Sequence, residues 1–138
     1  MKLAASIALG LAVAVPLGGC VTINVNEADV SRSTLPAPSA LLGTWEVSLQ
    51  FDPNAEPSKT EMQITSVEGG QLVGTFYGSP FQAGRYVSRG STWVIGGTTA
   101  DQSGPYWHSG RLMPDGSIQG QTLSEGRGFL MTWRAVRK

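Results

Sequence analysis

From residue 41 to the C-terminus, apolar and polar residues alternate in short runs, each closed by turn-forming residues. The clearest run covers residues 44–51. Trp45, Val47, Leu49 and Phe51 share one phase there, and Thr44, Glu46, Ser48 and Gln50 share the other. A period of two puts one set on a dry face and the other on a wet face, which is a strand. Met62 and Ile64 repeat the pattern, as do Leu72, Gly74 and Phe76. A weaker fourth strand is expected near residues 85–88, and Trp93 with Ile95 mark a fifth. Tyr106, His108, Gly110 and Leu112 share a phase in the sixth, and Ile118, Gly120 and Thr122 in the seventh. Phe129, Met131, Trp133 and Ala135 line one side of the last. Asp52-Pro53-Asn54, Glu68-Gly69-Gly70 and Pro114-Asp115-Gly116 are turn signals between them. No stretch reads as an amphipathic helix. The pattern predicts an all-β, eight-stranded antiparallel up-and-down barrel over residues 41–138. Closure removes the two exposed edges that an open meander would leave.

The same parity places Trp45, Trp93 and Trp133 inside and Trp107 outside. An eight-stranded barrel is either filled by side chains or holds one small ligand. Three indoles with Phe51, Phe76, Phe129 and Tyr106 suffice to fill it, and the inward glycines Gly74, Gly110 and Gly120 leave the hollow alternative open. A glycine within a strand marks either a bend or the close approach of another group.

The first forty residues have no place in this pattern. Lys2 precedes an apolar run over residues 3–15, broken by Pro16 and followed by Leu17-Gly18-Gly19-Cys20. A cationic start, a short apolar stretch and small residues at the cut predict a signal peptide over residues 1–19. The run is shorter than the roughly 20 residues that span a bilayer. Leu17-Gly18-Gly19-Cys20 resembles the bacterial lipobox, which implies lipidation of Cys20 and attachment to a membrane. Two acyl chains give stable anchoring where one does not. Residues 20–40 are polar and rich in Ser and Pro, and predict a flexible tether with a reach on the order of 25 Å. Val21 stands where inner-membrane lipoproteins of enteric bacteria carry aspartate. That resemblance implies the outer membrane, facing the periplasm.

Charge and chemistry narrow the function. Ten basic and ten acidic residues cancel, so nucleic acid is not an expected partner. Acidic residues dominate the first half of the barrel and basic residues the second, so opposite charges are placed to meet if the halves close. Cys20 is the only cysteine, which rules out an internal disulfide. One histidine and no second cysteine predict no metal site and no cofactor. No nucleophile elbow or phosphate loop is present, and no acidic residue falls on an inward phase. A catalytic role is therefore not expected. His108, in phase with Tyr106, is either a polar fixture of a binding pocket or a buried histidine satisfied by a neighbour.

Gly43-Thr44-Trp45 resembles the opening strand of the lipocalins and avidins, the calycin-type barrels. In lipocalins a basic residue of the last strand lies over that indole at the barrel floor. The resemblance implies that Arg134 or Arg137 does so here, and parity favours Arg137. It implies a floor built from Gly43, Trp45 and Arg137. The chain is similar to small lipocalin-like envelope domains, whose membership implies no activity. Two functions are expected. The first is a barrel that binds a small apolar or aromatic ligand through Phe76, Trp93, Tyr106, His108 and Trp133. The second is a module with a filled core that binds an envelope protein or inhibits an exported enzyme. In that case the determinant lies in a loop at residues 52–58, 78–84 or 98–104.

Overall fold

The computed structural model describes residues 34–138, so the signal peptide, Cys20 and most of the tether lie outside the described residues. One 3-10 turn, Pro38–Leu41, comes first. The strands then follow as β1 (Gly43–Gln50), β2 (Ser58–Glu68), β3 (Gln71–Phe76), β4 (Ser79–Pro80), β5 (Gln82–Arg89), β6 (Thr92–Asp101), β7 (Gly104–Leu112), β8 (Ile118–Ser124) and β9 (Phe129–Arg137). Each long strand pairs antiparallel with the next, and β9 returns to pair with β1. The result is a closed, eight-stranded up-and-down barrel. The two-residue β4 folds back on the end of β3, outside the ring.

Alternation decides which residues enter the core. Trp45, Val47, Leu49, Met62, Ile64, Phe76, Ile95, Met131 and Trp133 are all buried, each on the apolar phase of its strand. Burying a side chain of this size contributes about 1.5–3 kcal/mol. Two glycines make room for the largest of them. A Cβ on Gly110 would lie 2.7 Å from the Trp133 ring, and one on Gly120 would overlap it. The indole thus lies flat across two neighbouring strands, β7 and β8. Gly74 serves a different purpose, packing directly on the backbone of Gln63 where β2 shifts register.

Three details depart from the pattern. Phe51 shares the phase of Trp45 but lies past the end of β1, where it is 56% exposed and packs edge-to-face on Phe129. The fourth strand runs from Gln82 to Arg89 rather than 85–88, with a register shift at Ala83, whose φ is 53°. Its polar, irregular start hides it from a period-two pattern. The last residues of the expected tether are docked, not free. Pro36 O accepts from Trp93 Nε1 at 2.8 Å and Ala40 O from Arg137 Nη2 at 2.6 Å, just before Leu41, the first residue of the expected barrel, which is fully buried.

A meander sends alternate connections to opposite ends. Residues 69–70, 90–91 and 113–117, the incoming segment and the C-terminus share one end. Residues 51–57, 77–81, 102–103 and 125–128 share the other. Of the three ion pairs among the described residues, Lys138–Glu61 at 2.8 Å crosses from the last strand to the first hairpin. Lys59–Glu46 and Arg134–Asp115 stay within their own halves.

Candidate functional site

The first of these ends is sealed. Trp45 and Leu41 are fully buried there, and the indole N–H of Trp45 donates to Leu41 O at 3.1 Å. Arg137, which pairs with Trp45 across β9 and β1, lays its guanidinium over that indole at 4.5 Å. It also donates to the Leu42 and Ala40 carbonyls. Arg134 instead points outward to Asp115. Gly43 has a φ of 125°, and a Cβ there would press on the Arg137 guanidinium. Gly43, Trp45 and Arg137 therefore form one closed unit.

The barrel's midsection is solid. Between Met62, Leu72, Ile95 and Trp133 there is no room for a water-sized sphere. Toward the other end lies a cleft of about 160 Å³. Leu49, Phe76 and Met131 form its apolar base, and Phe51, Phe129 and Tyr77 its aromatic rim. Tyr77 is brought there by a tight turn in which it and Gly78 both have positive φ.

The polar side of the cleft is a connected series. His108 is buried, stacked on Phe76 at 4.3 Å between ring centroids, and bonded through both ring nitrogens. Nε2 meets Thr99 Oγ1 at 2.9 Å, and Nδ1 meets Thr122 Oγ1 at 2.8 Å. Thr122 Oγ1 also accepts from Trp133 Nε1 at 3.1 Å. Burial pushes the His108 pKa down to about 4, because the apolar surroundings penalise the imidazolium. The ring is neutral at pH 7.

A second cluster holds the rim. Asp101 accepts from the Ser103 backbone N–H at 2.7 Å and from its hydroxyl at 2.6 Å. Tyr106 Oη donates to Asp101 at 3.0 Å, and Arg127 Nη1 reaches Tyr106 Oη at 3.5 Å. The Ser103 hydrogen bonds hold the Asp101 carboxyl below the usual range, with Tyr106 and Arg127 adding to them. The Arg127 guanidinium also lies 5.6 Å from the Phe129 ring centre.

The structure divides the five expected ligand residues. Phe76, Tyr106 and His108 line the cleft together. Trp133 fills the core beneath it, meeting it through its hydrogen bond to Thr122 and its ring contact with Phe76 at 5.3 Å. Trp93 sits at the opposite end, bonded to Pro36 and edge-to-face with Tyr86 at 5.4 Å. Thr99, Asp101, Arg127, Leu49 and Met131 complete the cleft without having been singled out from the sequence. Parity with Trp93 and Ile95 was the signal for Thr99, and the Asp-x-Ser spacing at 101–103 was the signal for the rim.

All three expected loops, at 52–58, 78–84 and 98–104, lie around this mouth. Among the described residues no three His, Cys, Asp or Glu side chains group as metal ligands, and no helix is long and apolar enough to cross a membrane. No known protein family, curated protein or solved structure matches the chain.

Proposed function

We propose that the protein is a lipid-anchored envelope protein of calycin type whose barrel mouth binds a small apolar or aromatic ligand without transforming it. One observation carries this reading. A solid barrel stops short at one end, leaving a 160 Å³ cleft with an apolar base, aromatic walls and a few convergent polar groups. That combination is the usual make-up of a small-molecule site. The polar groups do not amount to a catalytic set: the histidine is neutral and bonded on both nitrogens to threonine hydroxyls, with no carboxylate on it.

The anchor rests on Leu17-Gly18-Gly19-Cys20 and on the geometry of the incoming segment. Residues 36–41 join the barrel at its sealed end, opposite the cleft. A lipid on Cys20 would tether the barrel through the segment that enters at its sealed end, with the outer membrane, facing the periplasm, as the proposed site.

Native mass spectrometry of the protein purified gently from the envelope tests both halves. An acyl mass on Cys20 supports the anchor, and an unmodified Cys20 removes it. A non-covalent mass lost on denaturation, and lost also in Met131→Trp, supports ligand binding in the cleft. If wild type and Met131→Trp retain the same bound mass, the cleft is not the site.

A second reading draws on the outer surface. Trp107, Leu123 and Leu130 are direct neighbours across β7, β8 and β9 and are 51%, 42% and 62% exposed. This apolar stripe near the mouth suits a protein partner in the envelope. Charged substitutions there, such as Leu130→Glu, would abolish that contact without changing the cleft.

A further inference from the structure

The hydrogen-bond series behind the cleft has a direction. An indole N–H only donates, so Trp133 commits the Thr122 oxygen as its acceptor. Thr122 is fully buried, and among the described residues its hydroxyl has one further polar neighbour, Nδ1 of His108. The Thr122 proton therefore goes to Nδ1, which makes Nδ1 the acceptor and places the ring proton on Nε2. Nε2–H in turn donates to Thr99 Oγ1. The reverse order would leave the proton on Thr122, which is fully buried, whereas Thr99 keeps a small exposure of 4%; buried hydroxyls avoid going unpaired. One proton is left at the end of the series, on the Thr99 hydroxyl. Thr99 lines the cleft, and no acceptor for that proton is found among the described residues.

The cleft also has a size and a charge pattern. A cavity of about 150 Å³ lined by apolar side chains holds one benzene ring, and this one measures about 160 Å³. Its inner wall, from Leu49, Phe76 and Met131 to Thr99, Thr122 and the neutral His108, carries no charged side chain. An ionised group seated there would lose its water without gaining a counter-ion. The charges stand farther out. Asp101 and Arg127 flank Tyr106, and the neighbouring turns add Asp52, Glu56 and Glu125. With four carboxylates against Arg127 and Lys59, the rim is net negative and opposes an anion.

We propose that the cleft selects a neutral, single-ring ligand that places a hydrogen-bond acceptor on the Thr99 hydroxyl. The inference rests on the ligand-binding reading above and sharpens it. Thr99 is the recognition group, and the series from Trp133 through Thr122 and His108 holds its oxygen so that its proton faces the mouth. A carbonyl or ether oxygen in the plane of the ring meets this need.

Three probes separate the claims: acetophenone, ethylbenzene of nearly the same shape, and benzoate, each titrated into the full-length protein. Acetophenone is expected to bind about tenfold tighter than ethylbenzene, the upper range for one neutral hydrogen bond, and tighter than benzoate. Thr99→Val should remove the preference, and Thr99→Ser should keep it. In unmodified protein the 15N spectrum of His108 should show protonated Nε2 and bare Nδ1. Equal binding of acetophenone and ethylbenzene, or a protonated Nδ1, overturns the recognition rule while leaving ring binding intact. If none of the three probes binds, the rule falls together with the ligand-binding reading.

Discussion

The two ends of the barrel are built from the same residue types, and they end up opposite in character. Each has an arginine over an aromatic ring: Arg137 over Trp45 at the sealed end and Arg127 beside Phe129 at the mouth. At the sealed end the ring is fully buried and the guanidinium also binds two carbonyls of the incoming segment. At the mouth the guanidinium is exposed, and among the described residues its one polar contact is a 3.5 Å approach to Tyr106. Charge follows the same axis. Asp52, Glu56, Asp101 and Glu125 stand at the mouth against Arg127 and Lys59, whereas Arg89, Arg111, Arg134, Arg137 and Lys138 outweigh Glu61, Glu68 and Asp115 toward the sealed end. The lesson is that an aromatic–cation pair seals a barrel only when chain is available to cover it. The turn Pro38–Leu41 supplies that cover at one end, and among the described residues nothing comparable lies over Phe51 and Phe129.

The comparison can be broken most forcefully at the rings. Trp45→Ala should cost about 3–5 kcal/mol in urea unfolding, the range for emptying a packed aromatic site. Phe51→Ala, at the exposed rim, should cost less than about 1 kcal/mol. Similar losses at the two positions would mean that the mouth is as tightly packed as the floor.

The next largest effect depends on pH. His108 has a pKa of about 4 in the folded protein against an ordinary value near 6.5, so the unfolded chain binds the extra proton first as pH falls. Stability should therefore be intact above about pH 6.5 and decline progressively toward pH 4. The loss should reach at most about 3 kcal/mol. The urea midpoint measured across that window should slope in wild type and flatten in His108→Gln. A parallel slope in both proteins would assign the effect to other groups.

Gly120→Ala comes third. Its Cβ would overlap both the Trp133 ring and the Ser109 carbonyl, and overpacking of this kind costs about 1–3 kcal/mol. Because Trp133 bonds to Thr122, the disturbance should also shift the His108 ring signals in an NMR spectrum.

The smallest contrast is between the two arginines. Arg137→Met should lower stability by about 1–2 kcal/mol, from the lost cation–π contact and the carbonyls left without a donor. Arg127→Met should leave the unfolding midpoint nearly unchanged, as exposed charges usually do. A larger effect at Arg127 would show the rim cluster to be structural.

Strand parity made most of the fold readable. Trp45, Trp93 and Trp133 lie inside and Trp107 outside because residues two apart share a face, whatever the tertiary context. The fourth strand was the weak point, since a bulge at Ala83 and exposed residues along β5 erase the alternation there. The site was less readable for a different reason. Parity tells which residues face inward, but not how far along the barrel axis each one lies. Trp93 and His108 are both inward, yet one reaches the sealed end and the other the mouth. Phe51 carries the right phase and falls one residue beyond its strand.

By itself, then, the sequence determined the strand count, the inward and outward faces, and the opening segment that resembles a lipoprotein signal. These depend on local periodicity and local turn chemistry, which need no partner. Only the tertiary structure decided that Gly110 and Gly120 hold one indole, that His108 is linked to two threonines from different strands, and that a cleft remains at one end. Shear between strands sets which side chains share a level, and shear is a property of the closed ring rather than of any one strand.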